Sequence, residues 1–300
     1  MTTLSDLIDE TRTLLMSSAY QEANRLNGAV AAGDTSITFH YNVGGMQVIG
    51  SIIAIDLEHI RVWEWSGNTA TVVERGVEGT TAASHADGTL VEVAPKFSKF
   101  VTMRAINQDL DSLSSGANSL FCVKTLDLTF NPAISGYDLA GVTPGSVMAI
   151  QELRYKQPGP SHYWPQIRSF ATSRDMASSE FASTMAIFLY QGAFPGMAIH
   201  VRYRAKFTHF ANLTDDVTTV AGLPASAADL PPLGAMLRLG YPREVKRNFD
   251  EAQSDAKLQE DVPAGSMLKS FGGIQAMRSA RVAEEAASLL SQYGFPLRAF

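Results

Sequence analysis

Cysteine is nearly absent from this chain. The single thiol, Cys122, excludes an intrachain disulfide and a thiolate metal cluster, and it fits assembly in a reducing cytosol. Charge is sparse too: 18% of residues are charged, and 30 Asp and Glu against 24 Lys and Arg leave a net charge of −6. That balance argues against a protein whose main work is gripping nucleic-acid phosphates. No apolar run approaches the roughly 18 residues of a membrane span. The opening MTTLSDLIDETR is acidic where a signal peptide is basic, so the chain is expected to be neither membrane-bound nor secreted by the general route. Catalytic signatures are missing as well, with no P-loop, no GxGxxG after a strand, no HExxH and no GxSxG. The 6 histidines are scattered without a pair at metal-ligand spacing. The acidic pairs Asp215-Asp216, Glu284-Glu285 and Glu251/Asp255 read as helix caps or solvated helix faces. The expectation is no enzyme, no cofactor and no metal.

What is present is an ordinary globular composition, 45% hydrophobic in 300 residues, with pattern changes that imply an α+β chain in three parts. In residues 1–118, the spacing of Leu4, Leu7, Ile8, Leu14 and Leu15 predicts an amphipathic helix over 3–16. Short runs then alternate with Gly, Asn and Asp clusters from Leu26 to Ala94, which predicts a small antiparallel barrel or sheet. Phe97 to Leu113 returns to helical spacing through Met103, Ile106, Leu110 and Leu113, a stripe expected to pack on the first helix. Small and polar residues at 114–118 mark a boundary. Residues 119–211 read as a β-sandwich or jelly roll, with the cleanest alternation in MAIHVRYRAKF, where Ile199, Val201, Tyr203, Ala205 and Phe207 share one face and His200, Arg202, Arg204 and Lys206 the other. Residues 212–300 turn helical. Thr214 reads as an N-cap, Asp229-Leu230-Pro231-Pro232 opens a helix that Gly240-Tyr241-Pro242 interrupts or kinks, and a long terminal helix follows Pro263.

One stretch, ERGVEGTTAASHADGTLVEV (74–93), stands apart because its Gly and small residues suit tight backbone geometry rather than chemistry. Thr80 or Thr81 is expected to cap a short Ala-rich turn, Asp87-Gly88 to close it, and His85 to brace the loop by a hydrogen bond rather than to serve a catalytic dyad. This stretch, followed by Pro95 and FSKFVTMRAINQDLDSL, resembles a family of tailed-bacteriophage virion proteins, the head-to-tail adaptors of the neck. The similarity continues in DLPPLGAMLRL (229–239) and ARVAEEAASLLSQYG (280–294). The resemblance implies a structural protein of the head-tail junction, assembled in the host cytoplasm, that forms a homo-oligomeric ring, a dodecamer matching the portal. It implies contacts with the portal protein and with a stopper or tail protein, genome DNA passing through the lumen without sequence-specific binding, and no catalysis.

Candidate interface residues lie at the end of the chain. Phe271, Ile274, Val282 and Leu289 fall on a narrow apolar seam of the terminal helix, which invites another helix. Phe295, Leu297 and Phe300, past the helix-stopping Gly294, read as a docking peg for the portal or a neighbouring subunit, the alternative being a tail folded back on its own helices. The alternative is a tail-tip or fibre protein whose β-domain binds host glycan through Trp63, Trp65, Tyr163 and Trp164. In that reading Trp63 and Trp65 share one strand face, although packing explains paired aromatics more simply. A virion-associated hydrolase is the third class.

Overall fold

The computed structural model describes residues 2–16, 23–41, 48–115, 119–159, 164–191, 194–253 and 266–294, with the backbone alone at 243–253 and 266–270. Among the described residues there are four helices, α1 (Leu4–Met16), α2 (Lys99–Leu113), α3 (Leu230–Gln253) and α4 (Ser266–Tyr293), and antiparallel sheets. The fold is α+β, with an N-terminal helix, a curled sheet, a second β-region and a long C-terminal helix. The chain divides into two compact units: Met1–Leu110 with His209–Ala221 and Ala225–Ala280, and Asp111–Thr208 with Gly222–Pro224 and Arg281–Phe300.

In the first unit, α1 begins with reciprocal capping. Thr3 N–H donates to Asp6 Oδ2 at 2.8 Å and Asp6 N–H donates to Thr3 Oγ1 at 3.4 Å, which satisfies donors that a helix start leaves open. Leu4, Leu7 and Ile8 are buried as their spacing predicts, whereas Leu14 is exposed. The helix against which α1 packs most extensively is α3, not α2 as the sequence suggested. A sequence stripe specifies a buried face but not its partner.

Six strands follow: β1 (Ala23–Arg25), β2 (Ile37–Thr38), β3 (Ser51–Ile55), β4 (Glu58–Ser66), β5 (Thr69–Glu74) and β6 (Leu90–Val93). They hydrogen-bond in the order β1-β6-β3-β4-β5-β2. The two edges then meet, because Asn27 N–H donates to the Thr38 carbonyl at 2.9 Å and His40 N–H to the Arg25 carbonyl at 3.0 Å. The result is a small closed barrel, which leaves no long unpaired edge. Its interior holds Leu26, Ile37, Phe39, Ile53, Ile55, Ile60, Val62, Ala70 and Val91.

The two tryptophans of β4 do not share a face. Val62 pairs with Val73, but Glu64 pairs with Val72 and Trp65 with Ala70, so Trp63 is an extra residue on β4 and Thr71 on β5. This bulge breaks the period of two. Trp65 turns inward and packs 5.6 Å from Phe39, while Trp63 stays 42% exposed beneath the Arg61 guanidinium. Trp65→Ala is therefore expected to cost about 3 kcal/mol, and Trp63→Ser less than about 0.5 kcal/mol. Thermal melts of the two variants check the split.

The second unit holds β7 (Cys122–Thr129), β8 (Gly136–Asp138), β9 (Val147–Tyr155), β10 (Phe170–Arg174), β11 (Met185–Leu189) and β12 (Ala198–Ala205). They form two three-stranded antiparallel sheets, β7-β12-β9 and β10-β11-β8, around Leu139, Ile150, Leu153, Ile167, Phe170 and Ile187. On β12 the apolar row Ile199, Val201, Tyr203 and Ala205 is buried as predicted, but Arg204 of the opposite row is buried as well.

Two helix boundaries differ from expectation. Thr214 caps no helix: the carboxylates of Asp215 and Asp216 accept N–H bonds from Ala211 and Asn212 and from Thr218 and Thr219, all at 2.8 to 2.9 Å, which closes turns instead. α3 opens at Leu230-Pro231-Pro232 as predicted, where proline forfeits only an N–H that has no helical partner. It then runs on through Pro242 rather than stopping. α4 also continues through Gly272 and Gly273, giving 28 residues, or about 42 Å at 1.5 Å per residue.

Candidate functional site

The Gly-rich stretch wraps one end of the barrel, and its centre is Glu58 at the start of β4. This carboxylate is buried and accepts five hydrogen bonds: Arg75 Nε at 2.6 Å and Nη2 at 2.8 Å, His85 Nε2 at 2.8 Å, Ala83 N–H at 3.1 Å and Gly76 N–H at 3.2 Å. Arg75 also donates to the carbonyls of Ala31 and Ala83, at 2.7 Å and 2.6 Å. Burial pushes the Glu58 carboxyl up, but the donors from Arg75, His85 and Ala83 outweigh it and hold it down at about 2. Burial pushes the His85 imidazole down, and its bonds to Asp56 and Glu58 overcome this and lift it to about 9.

The loop is thus built by ions as well as by glycine. His85 does brace it, through Glu58 and Asp56 and through two backbone bonds with Val30 at 2.8 Å and 2.9 Å. Asp87 instead accepts from Gly28 N–H at 2.7 Å. The expected Ala-rich turn after Thr80 does not form, because Ala83 N–H is drawn to Glu58; the only helical turn there is a 3-10 turn at Val77–Gly79. Gly76 must be glycine, since its φ is 65° and an added Cβ would meet Ala82 N at 3.0 Å.

Beside this loop lies a cleft of about 390 Å³ lined by Gly50, Ile52, His59, Glu78, Ala94, Pro95, Lys96, Ser98 and Val101. Ser98 is the N-cap of α2, where Val101 N–H donates to its Oγ at 3.2 Å. The same Oγ lies 2.7 Å from His59 Nε2, and His59 Nδ1 lies 2.9 Å from Glu78 Oε2. Ser98 and His59 are buried and Glu78 is exposed. Sequence reading missed this trio, because its members stand 19 and 20 residues apart in no local motif. It also missed Arg12 on α1, which is buried and forms a two-pronged pair with Glu92 of β6 at 2.5 and 2.9 Å.

DLPPLGAMLRL builds a helix crossing in the first unit. An added Cβ on Gly234 would stand 2.0 Å from the Asp109 carboxylate of α2, and that carboxylate accepts from Arg278 of α4 at 2.8 Å. Farther along α3, a Cβ on Gly240 would meet Phe271 Cζ at 2.8 Å.

The proposed seam of α4 is divided. Phe271 is buried against Gly240, Leu289 is buried in the second unit, Ile274 and Val282 are half-buried, and Met277 is 52% exposed. Arg281 pairs with Glu285 at 3.1 Å as its spacing predicts, though Glu285 is buried rather than on an outer face. Phe295, Leu297 and Phe300 lie outside the described residues, as does Tyr163.

The polar row of β12 is partly neutralised. His200 meets Asp127 at 2.6 Å and Arg202 meets Glu152 at 3.5 Å. Arg204 is buried, donating to Gln151 at 2.7 Å and stacking 4.0 Å over Phe121. Lys206 alone of the four is exposed.

No group of three or more His, Cys, Asp and Glu side chains arranged to hold a metal occurs among the described residues. No helix among them is long and apolar enough to cross a membrane. Compared with known protein families and with characterised proteins, the sequence matches neither a family profile nor an individual protein.

Proposed function

We propose that the protein is a structural virion component of a tailed bacteriophage, a head-to-tail adaptor that forms a homo-oligomeric ring beneath the portal, links the capsid to the tail and lines the DNA passage. The observation that carries this reading is what the stretches on which the adaptor resemblance rests do in the fold. Glu74 to Val93 supplies Arg75 and His85 to the Glu58 network, DLPPLGAMLRL supplies the Gly234 and Gly240 contacts, and ARVAEEAASLLSQYG supplies buried Ala286 and Leu289. Each stretch fixes shape, which is what a ring subunit must hold constant. The half-buried Ile274 and the exposed Met277 leave apolar surface on the first-unit part of α4 for a neighbouring copy.

The expected result of negative-stain microscopy on the purified chain mixed with the portal is closed rings, with antibody against the chain decorating the head-tail junction of virions. Met277→Glu is expected to give folded protein with an unchanged melting curve and no rings. A wild-type chain that stays monomeric with the portal, and is missing from that junction, overturns the reading.

A further inference from the structure

Three features converge on the cleft beside the barrel. The first is its bonding order, in which Ser98 Oγ, His59 Nε2, His59 Nδ1 and Glu78 Oε2 form a continuous line with links of 2.7 Å and 2.9 Å across the ring. With Nδ1 donating to the Glu78 carboxylate, the Nε2 lone pair faces the serine hydroxyl. The opposite tautomer would set two acceptors against each other. The second feature is the backbone: Glu78 and Ala94, both lining the cleft, hold φ values of 56° and 40°, a region that non-glycine residues enter at a cost of about 1–3 kcal/mol. The third is space, since a cleft of about 390 Å³ adjoins all three side chains.

A helix cap explains only part of this. Capping α2 needs the Ser98 oxygen as an acceptor for Val101 N–H, and it needs neither an imidazole on the far side of the hydroxyl nor a carboxylate behind that imidazole. We propose that Ser98, His59 and Glu78 form a nucleophilic acyl-transfer site that hydrolyses small carboxylic esters. This goes beyond the ring reading and does not depend on it.

The step balances with water as the only co-reactant. Ser98 Oγ attacks the ester carbonyl carbon while its proton passes to His59 Nε2, and the resulting imidazolium is held by Glu78. Ser98 caps α2, whose first turn has N–H groups without an intrahelical acceptor, and the tetrahedral oxyanion takes its donors from that turn. The C–O bond to the alcohol breaks, and that alcohol leaves with the Nε2 proton. Water then attacks the acyl-serine, passing a proton to Nε2 and from there to Ser98 Oγ, so the acid is released and the site restored. Ile52, Pro95 and Val101 give the cleft an apolar lining for a short acyl chain, and Lys96 and Glu78 give it charged residues.

The test uses the full chain and an alkyl fluorophosphonate, with the adduct mapped by mass spectrometry and p-nitrophenyl butyrate hydrolysis followed in parallel. The wild-type chain is expected to carry one adduct, on Ser98, and Ser98→Gly, which retains most of the capping energy, to carry none. His59→Gln is expected to slow labelling by about 100-fold or more. Glu78→Gln acts through His59, so it is expected to slow labelling by about tenfold, and Glu78→Asp, which keeps a carboxylate, to restore part of that rate at an unchanged melting temperature, a recovery that a merely structural role would not produce. Wild-type protein that melts cooperatively yet gains no Ser98 adduct under excess probe overturns the proposal, and so does labelling at Ser98 that is equally fast in His59→Gln. If Ser98→Gly fails to fold, adduct mapping on the wild type and the His59→Gln rate decide the matter. Ring assembly is read separately, so loss of either reading leaves the other standing.

Discussion

Gly234→Ala is expected to destabilise the first unit by about 3 kcal/mol, at the upper end of what overpacking costs, and to lower its melting temperature by roughly 6–12 °C. One methyl has this effect because the added Cβ would lie 2.0 Å from Asp109 Cγ, so the Asp109 side chain must shift. Asp109 is buried between α2 and α3, and its carboxylate is held by Arg278, with Arg238 3.8 Å away. Burial raises its pKa while the charges and hydrogen bonds of Arg278 and Arg238 act against the rise. Moving it therefore separates a buried acid from its cations, and removal of one partner in such a set is the costly case. Gly272→Ala is the control. Nothing lies within 4 Å of that position on α4, so the substitution is expected to stabilise the helix by up to about 1 kcal/mol. Scanning calorimetry on both variants separates close packing from helix propensity, and equal melting temperatures would refute the assignment of Gly234 as a contact glycine.

Glu58→Ala is expected to cost about 3–5 kcal/mol, because Arg75 and His85 would remain buried without their shared acceptor. The pH dependence follows from the same network. Glu58 titrates at about 2 against a model-compound value of 4.5, so its contribution is complete above about 4.5 and lost as pH falls toward 2. His85 titrates at about 9 against 6.5, so its contribution is complete below about 6.5 and lost as pH rises through 9. Melting temperature plotted against pH is expected to be highest between those limits. In His85→Gln, where no imidazolium remains to lose its charge, the alkaline decline is expected to flatten. A decline of unchanged steepness in that variant would assign it to other groups.

Some of this was legible in the residues themselves. The α+β class, α1, the α2 stripe and the face of β12 follow from local periods, because side-chain direction repeats every 3.6 residues in a helix and every 2 in a strand whatever the rest of the chain does. The start of α3 at Pro231-Pro232 was legible for a similar reason, since proline constrains its own φ. Trp63 shows where a period stops being informative: one extra residue in β4 turned Trp65 inward, and nothing in VWEWS marks the bulge. Arg12, Glu58 and Glu92 were invisible because charged residues are ordinarily solvated, and only a partner brought in from far along the chain makes their burial tolerable.

The candidate site divides along the same line. That the stretch from Glu74 to Val93 forms a tight, backbone-defined loop was set by its glycines, and the pairing of Arg281 with Glu285 by their spacing on one helix. Which carboxylate organises the loop, which helix α1 packs against, and the meeting of His59, Glu78 and Ser98 beside a cleft were decided by barrel closure and helix packing. Local sequence sets backbone propensity within a few residues; contacts across tens of residues depend on how the strands register and close, and that choice belongs to the whole chain.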